Sequence, residues 1–374
     1  MVSLLSNDAL STSLAIPDLT DKRNGEHALQ CLIEEARVAL ATHWGCQQLK
    51  VRTSPVVPLE NNYDRLGYPP DGVARDARYT RYVTPNLILR SHTTAAIPDL
   101  LDGLNVAAPD DLLLLLPGMV YRRDCIDRLH CAEPHQFDLW RLVHNEQAHK
   151  MLSVYDLQQM IATVMKTLLP TTPWRTVASP HPYTEHGVQI DALWCGEWIE
   201  VGESGLIARQ LLQSVNLPNY SGLAMGLGLD RLLMIRKNIP DIRLLRSQDP
   251  RVAVQMKDLQ PFKPVSNMPI IKRDLSVCVD SDADEETIGD QVRTLLPEID
   301  CIESITVQSI TPYEALPASA HKRMGMSPSQ KNILLELVIR HLDRTLTDEE
   351  ANAIRNSVYR IIHQGIVKEI ALDG

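Results

Sequence analysis

Long apolar stretches are missing from this chain of 374 residues. No run approaches the roughly 18–20 residues that a helix needs to cross a bilayer, so no membrane-spanning segment is predicted. The N-terminal sequence MVSLLSNDALSTSLAIPDL has no basic residue ahead of its weakly apolar stretch, which also contains Asp8. Neither a secretion signal nor a basic, acid-poor mitochondrial leader is therefore expected. These absences predict a protein of a bacterial-type cytoplasm.

Cysteine and phenylalanine are also sparse. The 7 cysteines are odd in number and scattered, without C-x-x-C spacing, which favours reduced thiols and argues against a zinc ribbon. The chain has 2 phenylalanines, Phe137 and Phe262. Cationic residues are outnumbered, and the net charge of −10 argues against indiscriminate nucleic-acid binding.

The length and composition that are present predict two folded domains. A content of 44% hydrophobic and 22% charged residues is typical of globular proteins. A chain of 374 residues is longer than the chains that usually fold around a single hydrophobic core. We predict a loose N-terminal arm over residues 1–25, a larger domain over residues 26–250 and a smaller one over residues 262–374.

Hydrophobic periodicity predicts an α+β architecture for the larger domain. Apolar residues recur at helical spacing over residues 27–40 and 146–168. Strand-like runs at residues 187–194, at 197–201 and from 206 onward are joined by short turns, which indicates antiparallel pairing. Further strands are predicted over residues 50–57, 87–90, 112–116 and 139–143, a loop over 58–80, and helices over 93–104 and 228–238.

The smaller domain has the order strand, helix, strand, strand, helix, strand. This βαββαβ order is that of the ferredoxin-like split pattern. The T-x-x-E sequence from Thr347 to Glu350 is a capping box, which fixes the start of the second helix. The predicted elements cover residues 270–279, 285–296, 302–310, 333–339, 348–362 and 367–372.

Two arginines lie in apolar contexts and carry most of the functional information. Arg122 follows a leucine-rich run and belongs to GMVYRRDCIDRLHCAEPHQFD, and Arg231 ends the sequence GLGLDR. An arginine is rarely buried without an anionic partner, and its guanidinium fork suits phosphate oxygens. The pair therefore indicates a phosphate-bearing ligand. Neither a P-loop nor a G-x-G-x-x-G motif is present.

The surroundings of these arginines resemble motifs 2 and 3 of class II aminoacyl-tRNA synthetases. The sequence VYRRD with His130 and His135-Gln136 resembles motif 2, and GLGLDR resembles motif 3. The nearer resemblance is to the catalytic subunit of phenylalanyl-tRNA synthetases, especially the single-chain organellar form. It is supported by LRSHTTA, GEWIEV and IPDIRL, and RHLDRTL is similar to the family's ferredoxin-fold anticodon-binding domain. The resemblance covers roughly residues 26–374.

The resemblance implies a fold, a ligand set and roles for named residues. The fold is an antiparallel sheet of six or seven strands flanked by helices, which binds bent ATP and Mg²⁺. Arg122 would hold the α-phosphate and Arg231 the γ-phosphate and the adenine, as a charge clamp on the transition state. The other implied ATP contacts are Asp124 and His130, the metal ligands are Glu200 and Asp191, and the amino-acid contacts are His92, Thr94, Gln136 and Asp138.

Several positions of the implied substrate pocket depart from the family. Leu223 and Met225 replace two phenylalanines that pack on the substrate phenyl ring, which leaves an adaptable apolar wall. Glu203 and Ser204 stand where small residues line the far end of the pocket. Glu203 would select a polar or cationic side chain if it faces the pocket, and otherwise it turns to solvent. Pro134 replaces the phenylalanine that stacks on adenine.

The charge of the smaller domain bears on whether tRNA is a partner. Residues 262–374 contain 12 Lys and Arg against 18 Asp and Glu, a net charge of −6. Binding of a phosphate backbone requires cationic contacts, so this domain needs a localised patch. The candidate residues are Lys322, Arg323, Lys331, Arg340 and Arg344.

Three functions remain open from the sequence. The first is a phenylalanyl-tRNA-synthetase-like ligase that activates an amino acid with ATP and transfers it to tRNA, with a side-chain specificity other than phenylalanine left open. The second is an amino-acid-activating paralogue that loads a carrier protein or a small molecule. The third is a non-catalytic RNA-binding or regulatory relative. Each is compatible with a monomer or a homodimer.

Overall fold

The computed structural model of the chain describes residues 4–76, 79–104, 109–147, 150–265 and 268–368. The chain divides into two compact units. The first consists of residues 1–122, 133–245 and 253–262, and the second of residues 123–132, 246–252 and 263–374. Among the described residues, no helix is both long enough and apolar enough to cross a membrane.

Thirteen strands and eleven α-helices are found within the described ranges. The strands are β1 Gln47–Lys50, β2 Val56–Pro58, β3 Tyr82–Thr84, β4 Leu87–Leu89, β5 Asp111–Met119, β6 His135–His144, β7 Trp174–Ala178, β8 Thr184–Trp194, β9 Glu197–Ile207, β10 Tyr220–Gly228, β11 Ile271–Asp280, β12 Ile302–Pro312 and β13 Gln330–Ile339. The helices are α1 Asn7–Ala15, α2 Ala28–Trp44, α3 Leu59–Asn62, α4 Ile97–Leu104, α5 Val154–Leu168, α6 Arg209–Ser214, α7 Leu229–Lys237, α8 Pro250–Ala253, α9 Glu285–Leu295, α10 Ala318–Met324 and α11 Asp348–Ile362.

A seven-stranded sheet in the order β1-β5-β6-β10-β9-β8-β7 organises the first unit. β1 pairs with β5 in parallel, and the remaining neighbours pair antiparallel. β5 is buried from Leu112 to Met119, because a central strand covered on both faces has no solvent-facing side. A smaller sheet of β2, β4 and β3 lies in the same unit. The predicted helix-flanked antiparallel sheet is thus confirmed, apart from the parallel edge strand.

Helix α2 illustrates how the sequence determines the elements of this unit. Its buried residues recur at helical spacing, which gives it one apolar face. It ends at Gly45, whose φ of 65° is in the left-handed region that glycine adopts without strain. Helix α5 begins at Val154, eight residues later than its periodicity predicted, because Ser153 and Asp156 form a capping box there.

The structure differs from the predictions for this unit in several places, including helix α3 within the predicted loop over residues 58–80. The N-terminal arm is not loose throughout, since it contains helix α1, and Leu4 forms a β-bridge with Tyr82. The single strand over residues 50–57 is two short strands, β1 and β2, which belong to different sheets. Pro55 stands just before β2, in the segment where the chain leaves the first sheet. β7 was missed because its side chains are mostly exposed and give little alternation.

The second unit contains β11, α9, β12, α10, β13 and α11 in chain order. Its three strands form an antiparallel sheet in the order β11-β13-β12. The core lies between this sheet and the apolar faces of α9 and α11. The capping box of α11 is confirmed, with the Thr347 hydroxyl accepting from the Glu350 amide at 3.2 Å. The last predicted strand, over residues 367–372, lies mostly outside the described residues, so the complete βαββαβ fold stays a prediction.

Candidate active site

One face of the large sheet aligns side chains from β6, β10 and β9. Asp138 pairs with Gly226 of β10, and Gly226 pairs with Glu203 of β9, without a register shift between them. Paired residues in neighbouring strands project to the same side of a sheet. Asp138 and Glu203 therefore stand on one face, separated by a glycine that leaves room above the sheet.

The segment that begins at Arg90 is fastened to this sheet through a buried cation. Arg90 is 5% exposed, and its Nε donates to the Met119 carbonyl at 2.9 Å, while Nη1 donates to the Thr53 hydroxyl at 3.0 Å. A Cβ at Gly118 would collide with the Arg90 guanidinium, so the close approach requires glycine there. This contact holds the residues that follow Arg90 beside β5 and β6.

A connected set of hydrogen bonds joins that segment to β6. The Thr93 hydroxyl donates to Oδ1 of Asp138 at 2.7 Å, and the Thr94 hydroxyl donates to Oδ2 at 2.5 Å. The Thr93 amide donates to Oε1 of Gln136 at 3.1 Å, and Trp140 Nε1 is 3.4 Å from Asp138 Oδ2. Three predicted amino-acid contacts, Thr94, Gln136 and Asp138, are thus brought together.

Asp138 is a buried carboxylate whose charge is only partly compensated. It is 2% exposed, and burial raises its pKa above the ordinary 3.8, although the Thr94, Thr93 and Trp140 hydrogen bonds lower it. A buried carboxylate of this kind favours a cationic ligand, because an opposite charge would restore the solvation that burial removed. An α-ammonium group fits that requirement.

His92 lies in the same region without a hydrogen bond of good geometry. Neither ring nitrogen has such a partner among the described residues, and the ring stacks on Tyr68 with centroids 5.9 Å apart. Burial is the main reason that its pKa falls from 6.5 to about 3, and Arg122 lowers it further. His92 is therefore neutral at physiological pH.

Arg122 and Arg231, the two arginines identified in the sequence, both lower the pKa of the Glu200 carboxyl. Arg122 Nε donates to the Ser91 carbonyl at 2.8 Å, and no other hydrogen bond of its guanidinium is found among the described residues. Arg231 Nη1 donates to the Glu200 carbonyl at 3.2 Å. Desolvation and the charge of Glu203 raise the pKa of the Glu200 carboxyl, and Arg231 and Arg122 lower it. Both guanidiniums are half-buried rather than fully buried.

The two predicted metal ligands differ in availability. Asp191 is 3% exposed, and its oxygens accept from Arg175 Nε at 3.0 Å and from Gln189 Nε2 at 2.7 Å. It is therefore already an ion-pair partner, which argues against the metal role. Glu200 pairs with Asp191 across the β8–β9 ladder and has an exposed side chain. The pKa of the Glu200 carboxyl is raised, partly by the negative charge of Glu203. A bound cation would offset this repulsion between the two carboxylates.

The other two predicted ATP contacts, Asp124 and His130, belong to the second unit. His130 Nδ1 is 2.7 Å from Asp127 Oδ2, and the Cys125 thiol is 3.6 Å from a carboxylate oxygen of Asp124 and of Asp127. Burial and these carboxylates raise the pKa of the Cys125 thiol well above its ordinary range. The roles of Asp124 and His130 toward ATP stay predictions.

Position 134 and its neighbour are structural in this chain. The Pro134 carbonyl accepts from the Val120 amide at 2.9 Å, which joins the two strand ends below it. His135 is fully buried, and its Nδ1 lies 2.8 Å from Asp230 Oδ1, while its Nε2 accepts from the Leu19 amide. His135 is therefore a core residue that links the N-terminal segment to α7. Asp230, from the GLGLDR motif, anchors motif 3 to β6.

A small cavity lies beside Asp138 on the same face of the sheet. Its lining residues are Asp138, Trp140, His181, Tyr183, Thr184, Glu203, Ser204, Ala224, Met225 and Gly226. Glu203 does face this cavity, and its Oε1 is 2.8 Å from His181 Nε2. The Glu203 side chain is also 39% exposed, so it borders both the cavity and solvent.

The assignment of Leu223 to the pocket is wrong, whereas Met225 and Ser204 are among the residues that line the cavity. Leu223 is fully buried and does not line the cavity. Strand alternation turns Leu223 and Met225 to the sheet face opposite Ala224 and Gly226, and Ser204 pairs with Met225 on that opposite face. Ser204 and Met225 thus border the cavity through backbone, and Ala224 is the β10 side chain that faces it.

Sequence reasoning missed six of the lining residues, among them His181, Tyr183 and Trp140. His181 and Tyr183 flank Pro182 in the turn before β8, and Trp140 follows Asp138 by two residues on β6. The period-2 alternation from Asp138 would have placed Trp140 on the site face. No local pattern brings residues 181–183 to β6, because that contact depends on the fold of the β7–β8 hairpin.

Comparison with known proteins agrees with this arrangement. The family described as tRNA synthetases class II core domain (F) matches residues 14–256. The chain belongs to this class II tRNA synthetase family. It is 27% identical over 354 residues to a probable mitochondrial phenylalanine–tRNA ligase of Drosophila melanogaster, covering 82% of this chain and 75% of the relative. It is 29% identical over 318 residues to the chloroplastic/mitochondrial phenylalanine–tRNA ligase of Arabidopsis thaliana, covering 82% and 68%.

A third relative gives the same family over about half of the chain. The alpha subunit of phenylalanine–tRNA ligase from Prochlorococcus marinus strain MIT 9313 is 32% identical over 209 residues, which cover 55% of this chain and 59% of that subunit. The resemblance inferred from the motifs is thus confirmed. The chain is a phenylalanine–tRNA-ligase-like member of the class II synthetases, which are ligases.

Proposed function

We propose that this chain activates an amino acid with ATP, forming an aminoacyl-adenylate and pyrophosphate, and transfers the aminoacyl group to tRNA. The observation that carries the proposal is the arrangement of Arg122 and Arg231 around the Glu200 carboxyl, together with the buried Asp138 carboxylate that accepts from two threonine hydroxyls. The positive charge of Arg122 lowers the pKa of both Glu200 and His92. His92 directly precedes Thr93, whose hydroxyl donates to Asp138. A phosphate and an amino acid would therefore bind within reach of each other.

The chemistry requires positioning and charge rather than a side-chain nucleophile. A carboxylate oxygen of the amino acid attacks the α-phosphorus, the bond between the α- and β-phosphates breaks, and pyrophosphate leaves with the electron pair. Arg122, oriented by the Ser91 carbonyl, would stabilise charge on the α-phosphate. Asp138 would hold the α-ammonium, which orients the attacking carboxylate.

The site also fits a divalent cation and a nucleotide phosphate tail. Glu200 would hold a Mg²⁺ ion that enters with ATP, and this ion would neutralise phosphate charge. Arg231, which donates to the Glu200 backbone, would hold the outer phosphate. Asp191 would have to release Arg175 or Gln189 before it could bind a cation.

The acceptor, oligomeric state and location are proposals of a coarser kind. The relatives are named as tRNA ligases, which supports tRNA as the acceptor. Of the predicted basic patch, Arg340 pairs with Glu303, Arg344 pairs with Glu350, and Lys331 donates to the Ala283 carbonyl. Lys322 and Arg323 are exposed on α10 and stay available to a phosphate backbone. A cytoplasmic location stays a prediction.

Amino-acid-dependent exchange of labelled pyrophosphate into ATP tests the proposed activation. Wild-type protein should exchange with at least one amino acid, and Arg122→Ala should lower the rate by roughly 100–1000-fold, as for loss of one transition-state donor. Arg209→Ala, on the exposed surface of α6, is the matched control and should keep the wild-type rate. No exchange with any amino acid would favour a non-catalytic relative, and exchange without tRNA charging would favour a carrier protein or small molecule as acceptor.

A further inference from the structure

The amino-acid cavity has a wall of large aromatic rings. Trp140 and Tyr183 stack with centroids 6.0 Å apart and planes inclined by 22°, and Tyr68 lies 6.3 Å from Tyr183. Trp140 is 1% exposed, so its ring occupies the cavity floor rather than the surface. Tyr183 has burial as the main cause of a pKa well above its ordinary range, so its hydroxyl stays protonated.

These rings leave little space for a substrate side chain. The accessible space in the cavity is 10 Å³, which is enough for about one water molecule. A cavity that binds benzene measures about 150 Å³. A benzyl side chain would therefore require Trp140 or Tyr183 to leave its packed position.

The cavity is also lined by polar and acidic side chains. The Glu203 and His181 side chains meet at 2.8 Å, with Glu203 39% exposed and His181 10% exposed. Asp138 lines the same cavity, and Gly226 lies between it and Glu203 in the sheet. A hydrocarbon group placed against Glu203 would remove water from the carboxylate without replacing its hydrogen bonds, at a cost of roughly 1–3 kcal/mol. A hydroxyl or ammonium donor would replace them.

We propose, building on the amino-acid activation proposed above, that this pocket selects a short amino acid whose side chain ends in a hydrogen-bond donor. Glu203 and His181 recognise the donor, and Trp140 and Tyr183 limit its length. The benzyl side chain is rejected because the rings leave too little space and because it offers no donor to Glu203 and His181. Serine, threonine and 2,3-diaminopropionate have the required size and chemistry, and the hydroxyl and ammonium classes are distinguished by the test.

Pyrophosphate exchange over a matched panel tests this selectivity. The panel contains alanine, serine, threonine, 2,3-diaminopropionate, leucine and phenylalanine. Serine, threonine or 2,3-diaminopropionate should have a kcat/KM at least about 100-fold above that of alanine or phenylalanine, as in sites built to hydrogen-bond a substrate donor. A preference for phenylalanine or leucine would overturn the proposal, and so would equal use of alanine and serine.

Thermal shift with the same amino acids separates this proposal from the proposed activation. A ligand that binds the folded chain raises its melting temperature whether or not ATP reacts. Stabilisation by the donor-bearing amino acids without exchange would support the pocket and contradict the activation. Absence of both exchange and stabilisation by those amino acids would overturn both.

Two variants test whether Glu203 and Trp140 determine the selectivity. Glu203→Ala should reduce the preference for serine over alanine to within a few-fold, while Glu197→Ala, an exposed glutamate on the same strand, should leave it unchanged. Trp140→Leu should enlarge the cavity and raise the use of leucine relative to serine. An unchanged serine preference in Glu203→Ala would contradict the assignment of Glu203, and this partly exposed position avoids loss of folding.

Discussion

At the scale of single residues, Asp138 is a carboxyl group whose burial opposes the stability of the fold. Its carboxylate is buried against two threonine hydroxyls and an indole, with no cation hydrogen-bonded to it among the described residues. Burial is the largest contribution to its raised pKa. Such residues are typical of binding sites, because the ligand supplies the missing charge.

Replacement of Asp138 by Asn should therefore separate stability from binding. Because the folded pKa lies above the ordinary 3.8, the wild type carries no ionisation penalty below that pH and loses stability as the pH rises through the folded pKa. The variant does not titrate there, so its melting temperature relative to the wild type should increase over this range, by roughly 1–4 °C. Thermal melts from pH 3.5 to 8 measure this difference.

The same variant should bind the amino acid less well. Loss of one charged hydrogen-bond partner should raise the KM for the amino acid by roughly 10–100-fold. Asp71→Asn, in an exposed loop, is the matched control and should change neither property. A melting-temperature difference that does not vary with pH would show that Asp138 is not a strained carboxylate.

The residue types of the phosphate site could be predicted from sequence, but the substrate wall could not. Arg122, Arg231, Thr94, Gln136 and Asp138 belong to recognisable motifs. The structure joins the last three through hydrogen bonds of one segment and gives both arginines an effect on the Glu200 carboxyl. The side-chain wall was assigned to Leu223 and Met225 by analogy with a family run. Strand register decided otherwise, because one residue along β10 changes the face of the sheet.

At the scale of elements, local signals predicted helix ends better than strand partners. The capping box of α11 was read directly from Thr347 and Glu350, and the structure has both of its hydrogen bonds. The β1–β5 parallel pairing and the hairpin of β7 with β8 had no local signal. Their partners are distant in sequence or mostly exposed, so only the assembled sheet determines them.

The α11 cap gives a stability prediction for the second unit. Thr347→Ala removes the hydroxyl that accepts from the Glu350 amide and should lower the free energy of unfolding by about 1 kcal/mol. Urea unfolding followed by circular dichroism measures this loss. Ser357→Ala, within the same helix, should cost nothing, because alanine has the higher helix propensity. Equal effects of the two substitutions would contradict a role for the cap.

At the scale of the whole molecule, the proposed tRNA acceptor and the chain both carry net negative charge. The net charge is −10, and the exposed Lys322 and Arg323 of α10 stand out because Arg340 and Arg344 are paired with glutamates. An ion-paired arginine offers less attraction to a phosphate backbone than one without a carboxylate partner. Binding of tRNA would therefore depend on a few cationic side chains rather than on the net charge of the chain.

The double variant Lys322→Ala/Arg323→Ala should weaken tRNA charging without affecting amino-acid activation. The slope of the logarithm of tRNA affinity against the logarithm of salt concentration should decrease by about 1.4, for two contacts with single-stranded RNA. Filter binding between 50 and 200 mM salt measures the slope. Lys272, on β11, is paired with Glu336, so Lys272→Ala is the matched control. An unchanged slope would place the tRNA elsewhere or exclude it.

The central claim is that a substrate carboxylate attacks the α-phosphorus of ATP beside Arg122 and Arg231. The most direct measurement uses an amino acid labelled with oxygen-18 in its carboxylate, chosen as the one with the fastest exchange, followed by mass spectrometry of the nucleotide released on transfer. The account predicts AMP that carries one oxygen-18 atom, because the carboxylate oxygen stays on phosphorus. Unlabelled AMP, or ADP as the product, would contradict it.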